Sequence, residues 1–380
     1  MSAPVSPNGS RLRVAQLIES DGPGGAESVL LALAEGLPHR QVDVLPVGLA
    51  GGEGWLSGRL RAAGHEPFLP PIHRTHRIDV ALVWKLARWV RTQRIDVLHA
   101  HEWTMAVYAG AVGALTRTPH LITMHGGRYY ASAWHRRQAL RWSAQRADAV
   151  VGVAPSTCEH LASTLALPPS HVTLVPNGVP HRLGHRDVGR ASLALHPNEK
   201  LLLAVGNLYT VKGHHTLVAA AERLRSDPSL PPWRIAIAGR GDEEAALRRQ
   251  IREAGLDDRV QLLGLRSDIP DLLAAADGWV MPSLSEGLPM ALLEALMAGV
   301  PTVCSAVGGI PALIESGVSG WLVEPNNPAD LCQALAVLLQ NPTLAREVAA
   351  RGQSMAISEY GVDRMIDRYV TLYRDATERG

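Results

Sequence analysis

Short β-branched apolar runs alternate with amphipathic stretches along almost the whole chain. In the first half, runs at 12–18, 42–47, 95–99, 120–124, 149–153 and 172–175 predict strands. Stretches at 26–36, 78–93 and 103–115 predict helices between them. Strand–helix repetition at this spacing predicts a parallel sheet with helices on both faces. The rhythm pauses over 177–200, which holds Gly178, Pro180, Gly184, Gly189 and Pro197 and no long apolar run. It resumes with predicted strands at 201–205, 235–238, 260–263, 278–281, 302–304 and 321–323. Helices are predicted at 213–225, 242–253, 289–298 and 329–340, and two more near 343–357 and 362–377 close the chain. The expectation is an α/β protein with two doubly wound Rossmann-like domains. Residues 1–10 read as a flexible tail, 11–180 as the N-terminal domain and 181–199 as a linker. Residues 200–360 read as the C-terminal domain, and 361–380 as a helix packing back towards the N-terminal domain. Such sheets bind ligands beyond the carboxyl ends of their strands, so two domains facing each other would share a central cleft.

Composition narrows the class. Hydrophobic residues make up 46% of the 380 residues and charged residues 19%, which excludes a disordered chain. Cys158, Cys304 and Cys332 lie far apart, with no CxxC pair, so neither a disulfide framework nor a zinc site is expected. This fits a reducing compartment. No apolar run reaches the roughly 18 residues that would span a bilayer, and the first ten residues lack the apolar segment of a secretory signal. The net charge of +1 conceals an asymmetry. Residues 1–185 carry 18 Lys/Arg against 12 Asp/Glu, and residues 186–380 carry 19 against 24. A basic first half and an acidic second half suggest different partners.

The densest chemistry is in Pro282-Ser-Leu-Ser-Glu286-Gly287-Leu288-Pro289-Met-Ala-Leu-Leu-Glu294, which follows a predicted strand and opens a predicted helix. Glu286 falls on the loop and Glu294 one to two turns into the helix. The N–H groups of Gly287 and Leu288 at the helix N-terminus form an anion site. Carboxylates suit the hydroxyls of a ribose or sugar, because each accepts several hydrogen bonds. A second strand–loop–helix, Val205-Gly206-Asn207-Leu-Tyr-Thr-Val-Lys212-Gly213, sets a Lys where it can neutralise a diphosphate. After the first strand, Gly22-Pro-Gly24-Gly25-Ala26-Glu27 is a turn whose backbone can approach phosphate, although Glu27 stands where a dinucleotide fingerprint has its third glycine. His125, in Thr-Met-His125-Gly126-Gly127, ends another strand. His99 and His101 share one strand face ahead of Glu102, but no further ligand completes a metal set. No Asp-x-Asp triplet occurs to hold a diphosphate through a divalent cation. No metal and no other cofactor is therefore expected.

These motifs resemble the retaining glycosyltransferases of family 4, which have the GT-B fold, and the resemblance runs from Val14 to about Leu339. It includes Gly308-Gly309-Ile310-Pro311 and Gly317-Val318-Ser319-Gly320. It implies a hexosyltransferase-type enzyme that uses a nucleotide diphosphate sugar, with a uridine diphosphate sugar expected from family frequency. It implies that His125 and Glu286 contact the donor sugar, that Glu294 binds the ribose, and that Lys212 binds the diphosphate. The Gly287 and Leu288 backbone and the Gly24–Gly25 turn would help hold the donor, and the backbone at Leu265 would meet the base. Many members carry an Arg where this chain has Asn207, which leaves one fewer cation on the leaving group. His125, Lys212 and Glu286 are the expected catalytic residues. The resemblance implies retention by front-face attack, in which the departing diphosphate takes the acceptor's proton. It also implies a role in building a polysaccharide or lipid glycan. Two alternatives stand beside it: a nucleotide-sugar 2-epimerase, or a non-catalytic nucleotide-sugar-binding partner subunit.

The acceptor should meet the first domain. Residues 128–146 carry five Arg and no acid, and residues 84–94 are similar, both with Trp. Basic helices bearing Trp are typical of membrane-surface contact. The expectation is a cytoplasmic protein that touches anionic lipid at the inner face of the membrane to reach a lipid-linked glycan, with no nucleic-acid partner.

Overall fold

The computed structural model describes residues 11–48, 51–70, 79–126 and 133–379. The expected tail at 1–10 and the first residues of the basic stretch, 128–132, lie outside them. The chain forms two compact units, one running to Gly178 and taking in the last helix, the other spanning Val179–Gly361.

Among the described residues the N-terminal unit carries six strands: β1 (Leu12–Ile18), β2 (Val42–Gly48), β3 (Val97–His101), β4 (His120–Met124), β5 (Ala149–Gly152) and β6 (Val172–Leu174). They form one sheet in the order β2-β1-β3-β4-β5-β6, and every pair is parallel. The helices between them are α1 (Gly25–Gly36), α2 (Trp55–Ala62), α3 (Val80–Gln93), α4 (Glu102–Thr116), α5 (Trp134–Ala144) and α6 (Pro155–Leu165). α3 starts at Val80 because the Asp79 side chain accepts from the N–H groups of Ala81 and Leu82, capping the helix. β3 runs two residues further than the apolar pattern foretells, because His99 and His101 are fully buried and continue the ladder.

The second unit begins with α7 (Arg186–Ser192), inside the stretch expected to link the domains. It packs closely on α10 (Ile269–Ala275), where a Cβ at Gly189 would lie 2.1 Å from the Asp271 carbonyl oxygen. Arg186 donates to the carbonyls of Ala274 and Ala275. The strands that follow are β7 (Lys200–Val205), β8 (Trp233–Ala238), β9 (Val260–Gly264), β10 (Gly278–Met281), β11 (Thr302–Ser305) and β12 (Trp321–Val323). Their order is β12-β11-β10-β7-β8-β9, again all parallel. The remaining helices are α8 (His214–Arg225), α9 (Glu244–Glu253), α10 (Ile269–Ala275), α11 (Met290–Met297), α12 (Ile310–Leu313), α13 (Pro328–Gln340), α14 (Pro342–Tyr360) and α15 (Val362–Arg379).

Both cores are aliphatic. Leu, Val, Ala and Ile from strands and helices fill them, as the single Phe in the chain requires. α15 belongs to the N-terminal unit, and buries Met365, Ile366, Tyr369, Val370, Tyr373 and Ala376 along one helical face. Each sheet reverses its winding direction once, between β1 and β3 in the first and between β7 and β10 in the second. Ligands of open α/β sheets gather beyond the carboxyl ends of strands at such a switch point.

Candidate active site

In the second unit, Lys212 and Glu286 meet at the switch point. Lys212 lies in the single turn (Thr210–Lys212) that follows β7, and Glu286 in the loop after β10. The Lys212 ammonium donates to Glu286 Oε1 at 2.7 Å, and Ser283 Oγ donates to the same oxygen at 2.7 Å. The Glu286 side chain is only 8% exposed and that of Lys212 25%.

Two glycines hold this pair in register. Gly213 has φ +65°, and a Cβ there would sit 2.0 Å from the Pro282 carbonyl oxygen. The loop after β7 therefore lies directly against the loop after β10, and the Leu284 N–H donates to Val211 O at 2.8 Å. On the other side Gly308, at φ +57°, would place a Cβ 1.8 Å from the Glu286 carbonyl oxygen. Any other residue at either position is strained twice, by its backbone conformation and by contact with main chain.

Gly287 and Leu288 follow Glu286, and Pro289 is the N-cap of α11. The N–H groups of Gly287 and Leu288 donate to no backbone partner among the described residues, while Gly287 O accepts from Gly309 N–H at 3.0 Å. Glu294 lies in the middle of α11, and burial pushes its carboxyl above the usual range, offset by the charge of Arg182. Asn207 is half-buried just past β7, and Leu265 is exposed beyond β9. The loops that carry them are joined: Gly206 N–H donates to Ala238 O, Leu208 N–H to Arg240 O and Gly239 N–H to Gly264 O. Asn207, Lys212, Leu265, Glu286, Gly287 and Leu288 thus all belong to loops at the carboxyl end of one sheet.

Sequence reasoning missed Ser283, although its place three residues before Glu286 is a signal. It also missed His214, which is buried beside Lys212. Burial, with the charge of Lys212 adding to it, pushes the His214 imidazole down to about 4.

The N-terminal unit presents different chemistry at its own switch point. Gly24 caps α1 and Gly25 opens it, directly after β1. A Cβ on Gly24 would meet the Glu27 carboxylate at 2.3 Å. His125 follows β4, and its N–H donates to Glu102 Oε1 at 2.9 Å. Glu102 itself adopts φ +65°, an uncommon backbone conformation for a side-chain-bearing residue. The His125 ring packs on His101, with centroids 5.3 Å apart. Burial keeps both neutral: the His125 imidazole is pushed down to about 4, and that of His101 well below its usual range. Among the described residues, no group of three or more His, Cys, Asp or Glu is placed to hold a metal ion.

Comparison with known proteins agrees with the architecture. The family model described as Glycosyltransferase Family 4 matches residues 23–183, and that described as Glycosyl transferases group 1 matches residues 186–355. The chain is 23% identical to an Escherichia coli UDP-Gal:alpha-D-GlcNAc-diphosphoundecaprenol alpha-1,3-galactosyltransferase, over 96% of this chain and 97% of that protein. It is 25% identical to a Bacillus anthracis N-acetyl-alpha-D-glucosaminyl L-malate synthase, over 78% of this chain and 79% of that one. Among solved structures, Anabaena HepE in complex with UDP superposes with a TM-score of 0.83 at 21% identity, covering 95% of this chain and 99% of that one. Two family models that abut near residue 185, one covering β2–β6 of the first sheet and the other all six strands of the second, lead to one conclusion: the chain belongs to glycosyltransferase family 4, and is a glycosyltransferase with the GT-B fold.

Proposed function

We propose that the protein takes a sugar from a nucleoside diphosphate sugar, uridine diphosphate sugars first among them, and transfers it with retention to a glycan or lipid-linked acceptor without a metal cofactor. The observation that carries this reading is the Lys212–Glu286 pair, at 2.7 Å, at the switch point between β7 and β10. A diphosphate leaving group carries about two charges, and Lys212 answers one of them. The N–H groups of Gly287 and Leu288 ahead of α11 add partial positive charge. Donor binding draws the ammonium from Glu286 to the diphosphate, and the freed carboxylate oxygen accepts from a sugar hydroxyl. Glu294 accepts from the ribose and the backbone at Leu265 meets the base. Asn207, without a charge, contributes a hydrogen bond at most. In the N-terminal unit, His125 takes a sugar hydroxyl and the Gly24–Gly25 turn contributes N–H groups.

Two named relatives support the donor class. The Escherichia coli protein is named for UDP-galactose, and Anabaena HepE has been solved with UDP-glucose. Lys212 and the backbone amides would stabilise the departing diphosphate as charge develops on it. That diphosphate would take the acceptor's proton, which is the front-face route to retention.

For the acceptor we propose a lipid-linked or membrane-proximal glycan, reached by a cytoplasmic enzyme that touches anionic lipid. α3 and α5 both pack on α4. They expose Trp84 (59%) and Trp134 (69%) beside Lys85, Arg88, Arg137 and Arg141. No described helix is long and apolar enough to cross a membrane. Each Lys or Arg near an anionic surface contributes about 1 kcal/mol.

The test is a panel of nucleotide sugars, with and without EDTA, followed by release of nucleoside diphosphate and by the anomer of the product. One donor turned over in EDTA with retention supports the reading. Binding of a donor without turnover would favour a non-catalytic partner subunit, and no binding by any donor would overturn the site assignments. Conversion of a donor to another nucleotide sugar would identify an epimerase. Co-sedimentation with vesicles that is indifferent to lipid charge and salt would end the membrane contact.

A further inference from the structure

The proposed sugar contact of His125 stands at the end of a buried chain of hydrogen bonds that the family motifs do not mention. Gln16 sits in the middle of β1, fully buried and between Ala15 and Leu17 in sequence. Its Nε2–H donates to the Tyr373 hydroxyl at 2.9 Å. Its Oε1 faces His101 Nε2 at 2.8 Å, and His101 Nδ1 faces His125 Nε2 at 3.0 Å. Tyr373 also meets His99 Nδ1 at 2.7 Å, and His99 Nε2 meets Thr123 Oγ1 at 2.8 Å. Thr123 in turn pairs with the Tyr369 hydroxyl at 3.1 Å. Both tyrosines belong to α15, one turn apart.

A neutral imidazole carries one proton, so each ring in this chain is a donor at one nitrogen and an acceptor at the other. Gln16 Oε1 can only accept, which puts the His101 proton on Nε2. His101 Nδ1 is then an acceptor, and it takes the proton on His125 Nε2. His125 Nδ1 is left with a lone pair, screened from solvent and with no partner among the described residues. Turning the Gln16 amide over would reverse every bond and leave a buried Nδ1–H unpaired, and orphaned N–H groups are rarer than orphaned acceptors.

We propose that Gln16, held by Tyr373 of α15, is a positioning residue that fixes the tautomer of His125 through His101, so that His125 Nδ1 accepts a hydrogen bond from a hydroxyl of the bound sugar. This rests on the donor reading above for the identity of the hydroxyl, but not for the tautomer. Glu102 fixes the backbone of the same residue by accepting its N–H. The arrangement makes His125 a receptor for hydroxyl donors, and it makes the C-terminal helix part of how the donor is recognised.

The experiment is long-range 1H–15N correlation on the full chain labelled at histidine, at neutral pH, joined to kinetics. His125 is expected with Nε2 protonated and Nδ1 bare. A protonated Nδ1 in the wild-type protein would overturn the proposal, whatever the variants do. Gln16→Leu removes the acceptor for His101 and is expected to give a mixed His125 tautomer. Its kcat/KM for the nucleotide sugar should fall roughly tenfold, the scale of one buried hydrogen bond, with uridine diphosphate bound as before. Gln16→Glu restores both, since a carboxylate oxygen also accepts from His101 Nε2–H. An unchanged tautomer in Gln16→Leu, or equal losses for diphosphate and nucleotide sugar, would sink the positioning role. Unaltered turnover in His125→Ala would remove the sugar contact itself while leaving the tautomer result intact.

Discussion

The two sheets end in opposite kinds of polarity. The second unit sets a charged pair, Lys212 and Glu286, at its switch point and holds it with loop-to-loop contacts over Gly213 and Gly308. The first unit sets neutral histidines there, buried and joined through Gln16 and two tyrosines of α15. A lysine ammonium suits the stabilisation of a leaving diphosphate and a carboxylate accepts from hydroxyls, whereas a neutral imidazole recognises a hydroxyl without adding charge. On the proposed function the same α/β architecture serves two tasks, divided by whether the groups at the end of the sheet are an ion pair or neutral rings.

The largest effect should come from breaking the charged side. Lys212→Ala is expected to lower kcat by about 10²–10³-fold, the loss typical when a group stabilising transition-state charge is removed. Steady-state release of nucleoside diphosphate measures it, and a loss under fivefold would place the leaving group elsewhere.

The neutral side should respond to acid. His99 is pushed down to about 3 and His125 to about 4, in both cases by burial. The unfolded chain therefore binds more protons than the folded one below about pH 6.5. Stability is complete above that value and falls as pH drops towards the folded-state values. At pH 5 each such histidine costs about 2 kcal/mol. Urea unfolding at pH 7 and pH 5 reads this loss. His99→Gln should reduce the slope, and a flat profile would mean that the rings charge without penalty. His214 makes a similar but single contribution in the second unit.

Glu294→Gln sharpens the comparison further. Removing a carboxylate from a pair of ribose hydroxyls should weaken uridine diphosphate by about 2 kcal/mol, roughly 30-fold, with ribose-free diphosphate unaffected. Calorimetric titration with both ligands separates the two. The smallest effect belongs to Tyr373→Phe, which leaves Gln16 and His99 each short of one partner. Thermal unfolding should show a loss of about 1 kcal/mol, and no change would mean that the hydroxyl is dispensable.

How far the sequence could be read follows the same division. The charged site is local: Glu286 to Glu294 is one strand-to-helix passage, and Lys212–Gly213 another, so residue order alone exposes them. Alternating apolar runs gave the twelve strands with small errors at their ends. The neutral network draws on residues 16, 99, 101, 123, 125, 369 and 373, and no local pattern joins them. A polar Gln within an apolar strand and two tyrosines four apart on an amphipathic helix were visible signals. Only the register that sets Gln16 opposite His99 and His101 opposite Thr123 turns them into a chain. Residues 181–199 read as a link because α7 is short and polar, and its hold on α10 comes from Gly189 and Arg186, contacts without an apolar period.

The central claim is that a nucleoside diphosphate binds at the switch point of the second sheet, on Lys212 and the N-terminus of α11. A crystal structure of the protein soaked with uridine diphosphate tests it most directly. The account predicts the diphosphate on the Lys212 ammonium and the Gly287 and Leu288 N–H groups, with the ribose on Glu294. A nucleotide bound away from these residues, with the Lys212–Glu286 pair unbroken, would contradict it.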